Sequence, residues 1–114
     1  MNKIYRGESL NFVFKCKNSC GRPFDMTGKQ VSALLRDCFG EVFFRFSTEG
    51  GDGIIPVKVK QDTLLMRLSD KDTVLLEEGK YILEVKVRDN DLVMIDIERG
   101  IKVYDSIISN DNLL

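Results

Sequence analysis

Apolar and polar residues alternate along most of the chain with a period of two, the pattern of strands that bury one face. Residues 10–16 set Leu10, Phe12, Phe14 and Cys16 on one side and Asn11, Val13 and Lys15 on the other. Residues 30–38 repeat the pattern, with Val31, Ala33 and Leu35 opposed by Ser32, Leu34 and Arg36. In residues 41–46 the shared face is Val42, Phe44 and Phe46. Two short strands are predicted next. Residues 55–60 turn Val57 and Val59 inward against Lys58 and Lys60, and residues 63–68 turn Leu64, Met66 and Leu68 inward. Residues 81–88 form the clearest strand, with Tyr81, Leu83, Val85 and Val87 inside and Glu84, Lys86 and Arg88 outside. Residues 92–98 and 101–104 predict a final strand pair, or one strand bent at Gly100.

Turn-forming residues separate these runs. Asn18, Gly21 and Pro23 supply the first turn, and Phe39-Gly40 the second. Gly50, Gly51 and Gly53 make residues 47–53 a flexible hairpin loop. Gln61-Asp62 lacks the glycine that tight hairpins favour. Asp89-Asn90-Asp91 reads as a hairpin tip, because Asn and Asp tolerate positive φ. The rhythm breaks at residues 69–79. Ser69 is a helix cap with Asp70 and Asp72 in the first turn, Val74, Leu75 and Leu76 are expected to face the core, and Gly79 ends the segment. The expected fold is all-β: an antiparallel β-sandwich of roughly seven to nine strands, with one short helical turn near residues 70–77 bridging its two sheets. Residues 1–104 form its single domain, and residues 105–114 a polar tail. No strand alternates with a long helix, which argues against the doubly wound nucleotide-binding folds.

Composition narrows the chemistry. The 114 residues include no histidine. That removes Ser-His-Asp and Cys-His catalysis, imidazole acid–base work near neutral pH and every metal site built on imidazole. The formal charge of −1 comes from 17 basic and 18 acidic side chains, distributed rather than patched, so no phosphate-binding face for nucleic acid is expected. No apolar run is long enough for a membrane span, and residues 1–7 hold no secretory signal, so a soluble cytoplasmic product is expected. Cys16, Cys20 and Cys38 lack the spacing and the fourth ligand of a structural zinc site and read as free thiols. The glycine cluster leads into a strand without Gly-Lys-Ser/Thr, unlike a P-loop. Neither the tip Asp89-Asn90-Asp91 nor the pairs Asp70/Asp72 and Glu77/Glu78 have the spacing of a calcium loop, and nothing suggests a glycosidase cleft. No catalytic residue, cofactor or metal is expected.

The unusual feature is surplus apolar surface. Strict alternation leaves Phe43, Leu34, Leu65 and Ile82 on outer faces, with Val93 and Ile95 or their neighbours similarly placed. A contiguous apolar outer face marks a partner surface, whereas a bulge or a covering loop would bury it. The candidate contacts are Leu34 and Phe43 on an outer sheet face, Asp52 in the glycine loop, and Asp89, Asn90 and Asp91 at the hairpin tip.

Four short phrases carry a resemblance. They are residues 21–31 (Gly21-Arg22-Pro23-Phe24-Asp25-Met26-Thr27-Gly28-Lys29-Gln30-Val31), Leu68-Ser69-Asp70-Lys71-Asp72-Thr73, Leu75-Leu76-Glu77-Glu78-Gly79-Lys80-Tyr81, and Gly100-Ile101-Lys102-Val103. Together they resemble the immunoglobulin-like N-terminal domain of phage baseplate upper proteins and related tail, neck or head-fibre accessory modules, over most of residues 3–104. Tyr81, two residues after Gly79, resembles a tyrosine corner. The resemblance implies a non-enzymatic virion structural or assembly protein, found in the virion or in the bacterial cytoplasm during assembly. Its partners would be other virion structural proteins and further copies of itself, with no nucleic acid and no membrane. The long extension by which baseplate upper proteins trimerise has no counterpart in this sequence, so a small accessory protein is the expectation. The alternative, from another class, is a carbohydrate- or ligand-binding sandwich module.

Overall fold

The computed structural model describes residues 2–89 and 92–105. Nine strands and one helical turn run in the order β1 Asn2–Tyr5, β2 Leu10–Lys15, β3 Gln30–Asp37, β4 Val42–Ser47, β5 Ile54–Pro56, β6 Lys58–Lys60, β7 Thr63–Leu68, α1 Asp70–Thr73, β8 Gly79–Asp89 and β9 Leu92–Tyr104. One sheet has six strands in the order β1-β9-β8-β3-β4-β5, and the other has three in the order β2-β7-β6. This is the expected all-β, immunoglobulin-like sandwich. The period-2 faces close on one another. Phe12 and Phe14 of β2 and Leu64, Met66 and Leu68 of β7 are buried, as are Val31, Leu35, Phe46, Leu83, Val85 and Val87 from the larger sheet. Residues 92–104 form one continuous strand, paired with β8 from Gly79–Val103 to Asp89–Leu92.

The sheets are not wholly antiparallel. β1 lies parallel to the end of β9, and β5 lies parallel to β4 with Arg45 beside Ile54 and Ser47 beside Pro56. The glycine segment is therefore not the expected hairpin loop. It returns the chain to the same side of β4 within six residues, far fewer than a parallel crossover normally needs. Such a tight reversal requires backbone that other residues rarely adopt: Gly50, Gly51 and Gly53 have φ of +75°, +133° and +72°. A Cβ on Gly51 would also lie 3.0 Å from Ile54 Cδ1. The strand expected over residues 55–60 divides at the buried Val57, with β5 joining the larger sheet and β6 the smaller. Gln61, at φ +54°, completes the β6–β7 hairpin without glycine.

Residues 69–79 correct the sequence reading in detail. Ser69 caps α1 with a reciprocal Ser69–Asp72 capping box, but the helix stops after four residues. Only Leu76 of the expected apolar trio enters the core, while Val74 and Leu75 face solvent. Thr73 is buried instead, one helical turn from Leu76 on the same side.

Tyr81 anchors the crossover from α1 into β8, its hydroxyl donating to the Glu77 carbonyl at 2.8 Å. This is the geometry of a tyrosine corner. Burial raises the phenol above its usual value, so the donating proton stays in place through neutral pH. Tyr81→Phe removes one hydrogen bond and keeps the packing. It should cost about 1 kcal/mol and lower the melting temperature by roughly 4–6 °C in a calorimetric scan. An unchanged melting temperature would mean that the crossover is held by packing alone.

Candidate functional site: a cleft at one end of the sandwich

The β3–β4 hairpin and the α1–β8 crossover meet at one end of the molecule. Asp37 shapes the hairpin, its Oδ1 accepting from the backbone N–H groups of both Phe39 and Glu41 at 2.9 Å. With Gly40 at φ +94°, this Asx turn pushes the Phe39 ring outward, where it is 97% exposed. On the facing crossover Leu75 is 68% exposed. Phe43 completes the rim. Leu35 pairs with Phe44 but Arg36 pairs with Val42, which leaves Phe43 as the extra residue of a β-bulge. Its ring meets Tyr81 edge-on, centroids 5.4 Å apart and planes at 79°, and remains 37% exposed. Phe39, Phe43 and Leu75 thus border a cleft of about 510 Å³ with Tyr81 in its wall. Glu41, Glu77 and Glu78 surround it, Lys80 is the cation in its lining, and none of these four forms an ion pair among the described residues.

The expected contact residues are scattered rather than gathered. Phe43 does not share a surface with Leu34, because the bulge aims it into the end cleft. Leu34 lines a separate groove of about 330 Å³ on the six-stranded sheet, beside Arg45, Ile54 and Glu84. Asp52 is exposed in the glycine loop, which leaves β4 at the opposite end of the sheet from Phe43. Asp89 is also at that far end and accepts from Lys29 Nζ at 3.4 Å. Asn90 and Asp91 lie outside the described residues. Of the other outward apolar residues, Leu65 and Ile82 are half-buried, and the side chains of Val93 and Ile95 also fall outside the description.

Sequence reasoning missed Phe39, read as a turn residue, and Leu75, assigned to the core. A signal was present in the first case. A tight turn has no steric need for a phenylalanine, so an aromatic before Gly40 points to a use outside the fold.

The cysteines also separate. Cys16 is buried where its N–H meets Asp62 at one end of the sandwich, whereas Cys38 is exposed beyond the opposite end of β3. An eight-residue strand spans roughly 26 Å, too far for a disulfide or shared metal. Among the described residues no group of three or more His, Cys, Asp or Glu is placed to hold a metal ion. Burial, then the charge of Asp62, pushes the Cys16 thiol up. In a thiol-reagent titration at neutral pH, Cys20 and Cys38 should react at once and Cys16 only after unfolding. Because the fold favours the neutral Cys16 thiol, the stability linked to it is present at neutral pH and falls as pH rises through the ordinary value of 9.0. Three equally fast thiols would contradict this burial.

Facing sheets joined by a tyrosine corner place the chain in the class of immunoglobulin-like sandwich domains. No protein-family profile matches its sequence, and neither does any curated protein. Among solved structures it is similar in fold to a protein from Bacteroides vulgatus ATCC 8482 provisionally described as a glycoside hydrolase. The TM-score is 0.56 at 11% identity, over 93% of this chain and 17% of that one. At that identity the likeness concerns the fold alone.

Proposed function

We propose that this domain is a non-enzymatic assembly module of a phage or prophage particle, working through protein–protein contacts at the end cleft. The observation that supports it is the pairing of Phe39 with Leu75. Two large apolar side chains, one 97% and the other 68% exposed, line one cleft, each on a segment held by local backbone hydrogen bonds. Burying either side chain against a partner would contribute about 1.5–3 kcal/mol. Exposed apolar anchors set among charged groups are also common at recognition surfaces. The phage-like turn phrases around Asp25–Gly28 and Ser69–Tyr81 support a virion setting. The carbohydrate-binding alternative has less behind it. A sugar platform would have to rest on the exposed Phe39 and Phe43 rings, since there is no tryptophan, Tyr81 is buried, and Tyr5 and Tyr104 stack on each other at 5.7 Å.

A photoreactive amino acid placed at position 39 or 75 in the producing cell tests the reading. Protein adducts at both positions, with none at the control positions 19 and 32, are expected. Their absence at both cleft positions would overturn it.

A further inference from the structure

We infer that the cleft's occupant is a second copy of this chain, docked through the outer face of its three-stranded sheet; the inference rests on the cleft being a protein-binding site. The register of that sheet lines up its outward residues in rows: Asn11 beside Arg67, then Val13, Leu65 and Lys58, then Lys15, Thr63 and Lys60. Val13 is 47% exposed and Leu65 half-buried, so an apolar strip runs across the middle of the face. Lys15, Lys58, Lys60 and Arg67 frame it, all exposed and none ion-paired among the described residues. Two carboxylates stand nearby, but both are engaged locally: Asp72 in the capping box and Asp62 with the Thr63 hydroxyl. The cleft carries the opposite charge: Asp37, Glu41, Glu77 and Glu78 outnumber Lys80 in its lining, around the exposed side chains of Phe39, Phe43 and Leu75.

Charge then selects the arrangement. Cleft against cleft would bring three glutamates onto three glutamates, and face against face would bring four cations onto four. Like charges in register oppose docking, so of the pairings between these surfaces only cleft against face joins opposite charges while bringing exposed apolar side chains together. The two surfaces lie on different sheets of one molecule and cannot satisfy each other within it. A contact between unlike patches is heterologous and repeats from copy to copy, closing a ring or extending a filament. β6 is an edge strand with both lysines on its outward face, which discourages edge-to-edge pairing and leaves the face for contact.

The test reverses one surface at a time, using exposed positions that leave the core untouched. Sedimentation equilibrium of the wild-type chain should show mass rising with concentration, and less so at high salt. Glu77→Lys with Glu78→Lys, or Lys58→Glu with Arg67→Glu, should each weaken association roughly tenfold or more. All four substitutions in one chain recreate opposite charges and should restore association. A wild type that stays monomeric overturns the inference. So does a reversal that leaves the mass curve unchanged, or a fourfold variant that stays monomeric. A monomeric wild type whose position 39 still forms adducts with a different protein overturns only the second-copy occupant. A monomeric wild type with no adducts at 39 or 75 overturns the cleft reading as well.

Discussion

Phe46→Ala should destabilise the domain by about 3–5 kcal/mol, a large part of the roughly 5–15 kcal/mol that holds a domain of this size together. Phe46 on β4 meets Phe12 on β2 edge-on, with ring centroids 6.4 Å apart and planes at 84°, and both rings are only 1% exposed. The pair therefore joins the larger sheet to the smaller one. Alanine at position 46 removes the buried ring and leaves a hole that rigid strands on both sides cannot collapse to fill. In urea unfolding followed by circular dichroism, the midpoint should fall with little change in slope. Combining it with Phe12→Ala should reveal a coupling of about 0.5–1.5 kcal/mol, because the second deletion removes a ring that has already lost its partner. A loss below about 1.5 kcal/mol for Phe46→Ala would show that the sheets are held together elsewhere.

Thr73→Val should cost about 1–3 kcal/mol even though valine is more apolar and almost the same shape. The Thr73 hydroxyl is buried. It donates to the Glu8 carbonyl at 2.8 Å and accepts from the Gly7 N–H at 3.1 Å, clamping the β1–β2 turn against α1. Valine deprives the Gly7 N–H and the Glu8 carbonyl of their shared partner, and two hydrogen bonds of about 0.5–1.5 kcal/mol each are lost. Thr73→Ser keeps the hydroxyl, loses one methyl group and should cost only about 1 kcal/mol. Hydrogen exchange at the Gly7 amide reports the same clamp: slow in the wild type and the serine variant, faster in the valine variant. If valine proves as stable as serine, the turn is held by packing and the clamp is incidental. The consequence reaches the cleft, because Thr73 fixes the segment that presents Leu75 two residues later.

These two residues show how unevenly the sequence can be read. Phe46 falls on the buried face by alternation alone, since a strand that packs on one side must place every second residue there. Thr73 gave no such signal. A threonine at the end of a capped helix is ordinary, and its importance depends on Gly7 and Glu8, which are 66 and 65 positions away. Phe43 lies between these cases. Alternation correctly marked it as surplus to the inward face, but the bulge opposite Arg36 changed its direction and parted it from Leu34. A bulge arises from how two strands pair, and neither strand's own sequence contains it. Leu75 failed for a related reason. Its apolar neighbours Val74 and Leu76 suggested a buried run, yet the short helix and the turn after it have only one inward side, and Thr73 and Leu76 occupy it.

By itself the sequence determined the excluded chemistry and the repeating inward face: no histidine means no imidazole, and period-2 patterning admits only strands that share a core. It also determined Tyr81 as the corner and Ser69 as the cap, because both act within a few residues of themselves. The tertiary structure alone decided that β4 and β5 run parallel, that Phe43 turns into the cleft, and that Phe39 and Leu75 line it together. It also decided that carboxylates gather around the cleft while three lysines and Arg67 frame the outer face of the smaller sheet. Those arrangements depend on which strands become neighbours and in what register, and that is settled only when segments distant in sequence pair.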